Sequence, residues 1–295
     1  MIITQLNGGL GNQMFQYALG RALSLKHNAD LLLDVTSFNY QPHTNTKRKY
    51  DLGTFNISID LASKQVLDKF GRPNRYKVLA NRYFHLGFNP YPPNYIKENG
   101  HRFRPDILNL PDDVYLSGYW QSEKYFIDIQ DIIRDDFSKR NNSISQKNKQ
   151  LHNILSKGNS VSLHVRRSDY IANKKANSYH GTCNLKYYQQ AMSSIEATIK
   201  SPIYYVFSDD PEWVKLNIKS KHKIIYITHN QGVDSHEDIR LMAQCKHNII
   251  ANSSFSWWSA WLNHNDGKIV IAPKYWVADK KDIRQDRIPN SWTRI

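Results

Sequence analysis

Residues 162–170, SLHVRRSDY, set a histidine, two adjacent arginines and an aspartate at the end of a run that otherwise reads as a buried strand. A guanidinium is planar, permanently charged and bidentate, and against phosphate oxygens it contributes about 1.5–3 kcal/mol per charged hydrogen bond. Residues two apart on a strand share a face, so His164 and Arg166 point together and Arg167 points away unless the strand has already ended. Arg166 is therefore the better-placed phosphate ligand. Ser253 and Ser254 open the stretch SFSWWSAW, where backbone N–H groups at a helix start favour an anion, although both serines are also ordinary N-cap residues. Asp209 and Asp210 offer a carboxylate to the two-donor edge of a guanine or to a ribose, and before Pro211 either also suits a helix cap. The glycines of NGGLG (7–11) let backbone approach a ligand closely, but the loop lacks both the G-x-G-x-x-G spacing and the P-loop lysine.

These residues need a scaffold that brings them together. In the second half, VSLHVRR (161–167), IYYVFSD (203–209), KIIYITH (223–229), NIIAN (248–252) and KIVIAP (268–273) read as strands. Helical patterns over 185–200, 211–218, 236–245 and 254–264 lie between them. Strands alternating with helices predict right-handed βαβ units and a parallel sheet covered on both faces. The first half begins in the same way, with a strand at 2–6, the glycine loop, a helix over 12–27 and a strand at 29–35. Pro-, Tyr- and Arg-rich segments such as FNPYPPNY (88–95) read as loops, followed by a strand at 114–120 and a helix over 124–137. The polar run 138–150 is the linker candidate, giving two Rossmann-like domains, 1–150 and 151–295, that face a cleft. Ligands of such sheets bind outside the carboxyl ends of the strands. All four polar clusters fall at strand carboxyl ends, which is the main residue-level argument for a ligand site.

Composition narrows the partners. The chain has 40 Lys+Arg against 26 Asp+Glu, a net charge of +14, which favours a nucleic acid, an anionic membrane surface or a phosphorylated substrate. No nucleic-acid module is recognisable, and the arginines sit in a βα loop instead of a basic stripe. No metal is expected, since none of the 12 histidines falls in H-E-x-x-H or another zinc spacing and Asp209-Asp210 is not a D-x-D pair. Cys183 and Cys245 read as free, buried thiols. Trp257, Trp258 and Trp261, at helical spacing, read as core packing before they read as a binding cluster. The first residues lack the features of a signal peptide and no window is apolar enough for a membrane span, so the expected location is the cytoplasm.

GGLGNQMFQYALGRALS, GYWQSEKYF, LHVRRSDY, FSDDPEW and NSSFSWWSAWLN occur in this order over residues 1 to about 276. Together they resemble the motifs of bacterial α-1,2-fucosyltransferases, glycosyltransferase family eleven. The resemblance implies an α/β fold of GT-B type, GDP-fucose as donor, a glycan acceptor with terminal galactose, no cofactor, and metal-independent transfer with inversion to give an α-1,2 linkage. By similarity Arg166 holds the β-phosphate, and His164 with Asp209 or Asp210 contacts the guanosine. Asn252, Ser253, Ser254 and Phe255 match the segment that wraps the phosphates. Gly9, Leu10, Gly11, Asn12 and Gln13 match a loop reaching from the acceptor domain toward the donor. Asp169 matches the motif's aspartate, read as orienting Arg166 and Arg167 before it is read as a base, while Ser168 stands where a glycine is more usual. Asp34 and Glu123 are the candidates for a general base, with a turn cap as the alternative for Asp34. A non-enzymatic nucleotide-sugar or nucleic-acid-binding protein is the competing reading, and peripheral contact with the anionic inner face of a membrane is expected from the charge.

Overall fold

The computed structural model describes residues 1–39, 47–57, 59–70, 75–87, 90–138, 144–167, 178, 181–279 and 285–295. The chain forms two compact units, Met1–Lys139 and Arg140–Ile295. In the first, β1 (Ile2–Gln5), β2 (Leu31–Asp34), β3 (Asp60–Leu61), β4 (Tyr95–Lys97) and β5 (Val114–Ser117) form a parallel sheet in the order β3-β2-β1-β5-β4. Its described helices are α1 (Leu10–His27), α2 (Lys64–Lys69), α3 (Arg75–Phe84) and α4 (Gln130–Asp136). Ile3 and Tyr115 pack against Phe70 on one face of the sheet, with Val66 and Leu67 of α2 beside them. The approach of α1 is so close that a Cβ on Gly20 would lie 2.4 Å from Thr4 Oγ1 and 2.8 Å from Leu31 Cδ1. Only glycine fits there.

The second unit contains α5 (Gln146–Leu155), β6 (Ser160–Val165), α6 (Leu185–Thr198), β7 (Ile203–Ser208), α7 (Pro211–Asn217), β8 (Ile224–Ile227), α8 (His236–Gln244), β9 (His247–Ile249), α9 (Ser254–Trp261), β10 (Val270–Ala272) and β11 (Thr293–Arg294). Its sheet is parallel in the order β11-β10-β9-β6-β7-β8. Every residue of central strand β6 is buried. Val161, Leu163 and Val165 pack with Tyr187, Tyr188, Ala191 and Ile195 of α6. On the opposite face Tyr205 and Phe207 meet Leu155, Leu241 and Met242, with Phe255 beside them. The three tryptophans of α9 are buried core, Trp257 Nε1 donating to the Arg287 carbonyl at 2.7 Å and the Trp257 and Trp261 rings stacked 6.2 Å apart.

The five strands and four helices expected between residues 161 and 273 are all present. The pair β11–β10 was not foreseen, because two residues are too short to carry a period. In the first unit α1 starts at Leu10, so Leu10 and Gly11 are helical and the loop shrinks to residues 7–9. Burial of Leu10 anchors the first turn, and Gly9 accepts from the Asn12 and Gln13 N–H groups. The helix expected over 124–137 is instead two short 3₁₀ turns and α4, interrupted where Phe126 takes φ −146° and ψ 11°. Of the segments read as loops, Asp60–Leu61 and Tyr95–Lys97 form edge strands. The units divide at 139–140 instead of 150, because α5 packs on α8 of the second unit. Among the described residues no helix is long and apolar enough to cross a membrane.

Candidate functional site

Strands β9, β6 and β7 are neighbours, so the loops leaving their carboxyl ends lie side by side. Three of the four polar clusters expected from the sequence occupy these loops. His164 pairs in register with Phe207, and its ring centroid lies 5.8 Å from that of Phe255 in the first turn of α9. The strand ends at Val165, so alternation does not carry through Arg166 and Arg167. What separates the two arginines is their carboxylate partners. Arg166 Nη1 lies 3.3 Å from Asp209 Oδ2. Arg167 Nε lies 3.5 Å from Asp210 Oδ2, and its guanidinium sits 3.9 Å over the Trp213 ring of α7. The Arg167 backbone N–H donates to Asp209 Oδ1 at 2.8 Å, so Asp209 ties the exits of β6 and β7 together.

The two aspartates differ in what remains to them. Asp210 caps α7, accepting from the Trp213 N–H through Oδ1 at 3.1 Å, while its Oδ2 makes only the long contact to Arg167. Asp209 has both oxygens on the β6 exit. Asp169, expected to orient the arginines, lies outside the described residues together with Ser168. Trp213 was not singled out by the sequence analysis. Its signal was present in the quoted segment FSDDPEW, since an aromatic in the first turn after a capping aspartate is within reach of the neighbouring strand's exit.

His164 is 5% exposed, and its Nδ1 is buried with no hydrogen-bond partner among the described residues. Burial first, and then the Arg166 charge beside it, lower its pKa to about 3. The imidazole is neutral at physiological pH and carries one unused polar atom at the carboxyl edge of the central strand. Next to it α9 begins. The Ser253 hydroxyl accepts from the Phe255 N–H at 3.3 Å, and the first turn contains no acidic residue. An anion there meets the positive end of the helix. Asn252 is committed to the fold, its Nδ2 donating to the carbonyls of Gly181 and Trp276 at 3.2 Å each. Asn252 thus holds the loops around the site.

The fourth cluster, at the carboxyl end of β1 in the first unit, is differently arranged. Gly8 has φ +75°, and a Cβ there would lie 2.5 Å from Asn12 Nδ2. Asn12 Oδ1 accepts from Gln121 Nε2 at 2.7 Å. Gln13 is fully buried, donating to the carbonyls of Gly8 and Lys49 at 3.1 and 2.8 Å and accepting from the Asp51 N–H at 2.9 Å. Gln16, which the sequence analysis missed, accepts from the Asn7 N–H and donates to the Gly118 carbonyl, both at 3.0 Å. Asp34 is buried, accepting from the Thr36 N–H at 2.8 Å through one oxygen and from the Tyr115 hydroxyl through the other. That is the turn cap weighed against its role as a base. Glu123 begins a 3₁₀ turn capped by Ser122 and is half-buried. Among the described residues no three His, Cys, Asp or Glu side chains are grouped so as to hold a metal ion.

The family model described as Glycosyl transferase family 11 matches residues 1–295. The chain is 34% identical over 305 residues to an alpha-1,2-colitosyltransferase of Escherichia coli, covering 100% of this chain and 99% of that protein. It is 33% identical over 306 residues to the O-antigen biosynthesis glycosyltransferase WbnK of Escherichia coli, covering 98% and 99%. Among solved structures it is similar to the NodZ alpha-1,6-fucosyltransferase soaked with GDP-fucose, with a TM-score of 0.51 at 14% identity over 88% of this chain and 91% of that one. The likeness concerns the fold, an α/β architecture of GT-B type with Rossmann-like units.

Proposed function

From the premise that this chain belongs to glycosyl transferase family 11, we propose that it transfers L-fucose from GDP-fucose, with inversion, to the 2-hydroxyl of a β-galactosyl acceptor. The observation that carries the donor site is the meeting of Arg166, the unpartnered Nδ1 of buried His164 and the start of α9 at adjoining strand ends. As the anomeric C1–O bond breaks, the sugar ring becomes oxocarbenium-like and negative charge gathers on the leaving diphosphate. Arg166 and the N-terminus of α9 stabilise that charge most in the transition state. Asp209 sets the Arg166 fork, and His164, being neutral, offers its Nδ1 to the nucleotide without adding charge. Asp210, with the less committed oxygen, accepts from the base or ribose. Arg167 positions the loop from its place on Trp213.

The acceptor hydroxyl attacks the face opposite the leaving group and passes its proton to a base. Both oxygens of Asp34 already accept hydrogen bonds from the protein, which favours Glu123 of the two candidates. The glycan belongs to a surface polysaccharide of the O-antigen kind, in keeping with the WbnK relative. The enzyme works at the cytoplasmic face of the membrane, its net charge of +14 attracting it to anionic lipid.

The colitosyltransferase relative favours a second donor, since colitose is fucose without its 3-hydroxyl. Incubation of the protein with GDP-fucose or GDP-colitose and a panel of β-galactosyl acceptors, with linkage analysis of the product, tests both. An α-1,2-fucosylated product is expected. Preference for GDP-colitose would reassign the donor, and nucleotide binding without transfer to any acceptor would overturn the enzymatic reading.

A further inference from the structure

Among the described helices of the first unit, α3 is the one that packing leaves most exposed. Of its described side chains only Ala80 and Asn81 are half-buried, and the rest are exposed. Tyr76 is 84% exposed, Phe84 72% and Tyr83 68%, with Leu79 exposed beside them. At about 3.6 residues per turn, Leu79, Tyr83, Tyr76, Ala80 and Phe84 fall on one continuous stripe. Arg82 borders this stripe on one side and Lys77 on the other. From Lys69 to Gly87 the sequence holds five cations, Lys69, Arg72, Arg75, Lys77 and Arg82, and no Asp or Glu. The helix belongs to the crossover that joins β3 to β4, the two edges of the sheet.

A large aromatic stripe left in water on a helix implies a partner, and the flanking charge indicates which kind. We propose that α3 is the surface by which this protein docks on an anionic lipid bilayer. The helix lies in the interface plane, with Tyr76, Leu79, Tyr83 and Phe84 at the boundary of headgroups and acyl chains. Lys77 and Arg82 lie among the lipid phosphates. Tyrosine rings suit that boundary because one end is apolar and the other wet. Ten residues are too few to span a bilayer, so the contact is peripheral and reversible. The absence of any acidic residue favours lipid phosphate over a second copy of this chain, whose own α3 has the same charge.

The proposal rests on the peripheral membrane contact proposed above and names the element that makes it. The test is co-sedimentation of the full chain with vesicles of phosphatidylcholine containing phosphatidylglycerol, and of phosphatidylcholine alone. The wild type should partition at least about 10-fold more strongly onto the anionic vesicles. The double variant Leu79→Ser, Tyr83→Ser should lose about 10-fold of that partition or more, because its stripe no longer inserts. Its melting temperature should be unchanged, since both positions are exposed. Removing two exposed cations elsewhere, Lys219→Ala and Lys223→Ala, should cost less than about 3-fold. Wild-type binding that persists in the double variant would remove α3 from the contact and leave the contact standing. No binding of the wild type to anionic vesicles would overturn both. A wild-type dimer in solution that the double variant breaks would assign the stripe to a second copy and overturn the lipid proposal.

Discussion

The carboxyl ends of the two parallel sheets occupy equivalent topological positions and are furnished with similar residue types, yet they treat them differently. In the first unit the amides of Gln13 and Gln16 and the carboxylate of Asp34 have protein partners on both polar atoms, most of them backbone groups. In the second, charged groups gather in opposed pairs. Each edge keeps a buried polar atom unpartnered among the described residues, Asn7 Oδ1 in the first and His164 Nδ1 in the second, but only the second sets it beside an arginine. A polar group satisfied inside the fold stabilises a loop. One left unsatisfied carries a high desolvation cost that a further partner would relieve. On this contrast we propose positioning for the first edge, whose amides are committed to backbone, and ligand chemistry for the second, where the charges gather.

The largest expected effect tests the second edge. Arg166→Lys keeps the charge and loses the planar fork, so kcat should fall by roughly 100-fold or more while GDP-fucose affinity changes much less. Arg167→Lys should instead lower the melting temperature, through the lost stack on Trp213. If Arg166→Lys turns over normally and Arg167→Lys fails at unchanged stability, the phosphate ligand is Arg167. The converse result is expected of the first edge. Gln13→Ala removes the buried amide that joins the backbone groups of Gly8, Lys49 and Asp51 and should destabilise by about 1 kcal/mol, with GDP affinity intact. Lost GDP affinity at unchanged denaturation midpoint would erase the contrast between the edges.

The unpartnered imidazole can be read through pH. His164 titrates near 6.5 when unfolded and at about 3 when folded. Its contribution to stability is therefore complete above pH 6.5 and is lost as pH falls toward 3, with a slope approaching about 1.4 kcal/mol per pH unit. Urea denaturation of wild type and His164→Gln across this window should show an acid limb that is steeper in the wild type, since His152, His229 and His247, whose pKa values burial also lowers, contribute equally to both proteins. Burial raises the pKa of Asp238 to about 7, which produces the opposite trend, but it does so in both proteins and cancels. Parallel curves would mean that His164 is already protonated in the fold. A smaller effect sharpens the roles of the aspartate pair. Asp210→Ala should cost about 1 kcal/mol for the lost cap of α7, whereas Asp210→Ser should keep the cap. Both should weaken GDP binding, and unchanged affinity in Asp210→Ser would move base recognition away from this residue. No change at all is expected from EDTA, and activity lost in the chelator and restored by manganese would overturn the donor site.

Much of the second unit was legible because its elements are local. Two-residue and 3.6-residue periods mark β6 to β10 and the helices between them, and parallel connectivity follows from their alternation. The carboxyl-end placement of His164, Arg166, Asp209 and Ser253 follows from the same reading, since a strand's direction is a property of the chain. The residue types in the loops also named the chemistry, a planar cation beside a helix start. Other features depended on contacts between residues far apart in sequence. Gln13 reaches Asp51, Asp34 reaches Tyr115, and Arg167 reaches Trp213. No period records such a pairing, so only the tertiary structure decided that Asp34 is a cap, that Gln13 is a buried fastener and that Asp209 clamps two strand exits. The same holds for the edge strands Asp60–Leu61 and Tyr95–Lys97, which are too short to carry a pattern and exist because a neighbouring strand offers hydrogen bonds. Sequence determines what each residue can do, and long-range packing decides whether its polar atoms are left free to do it.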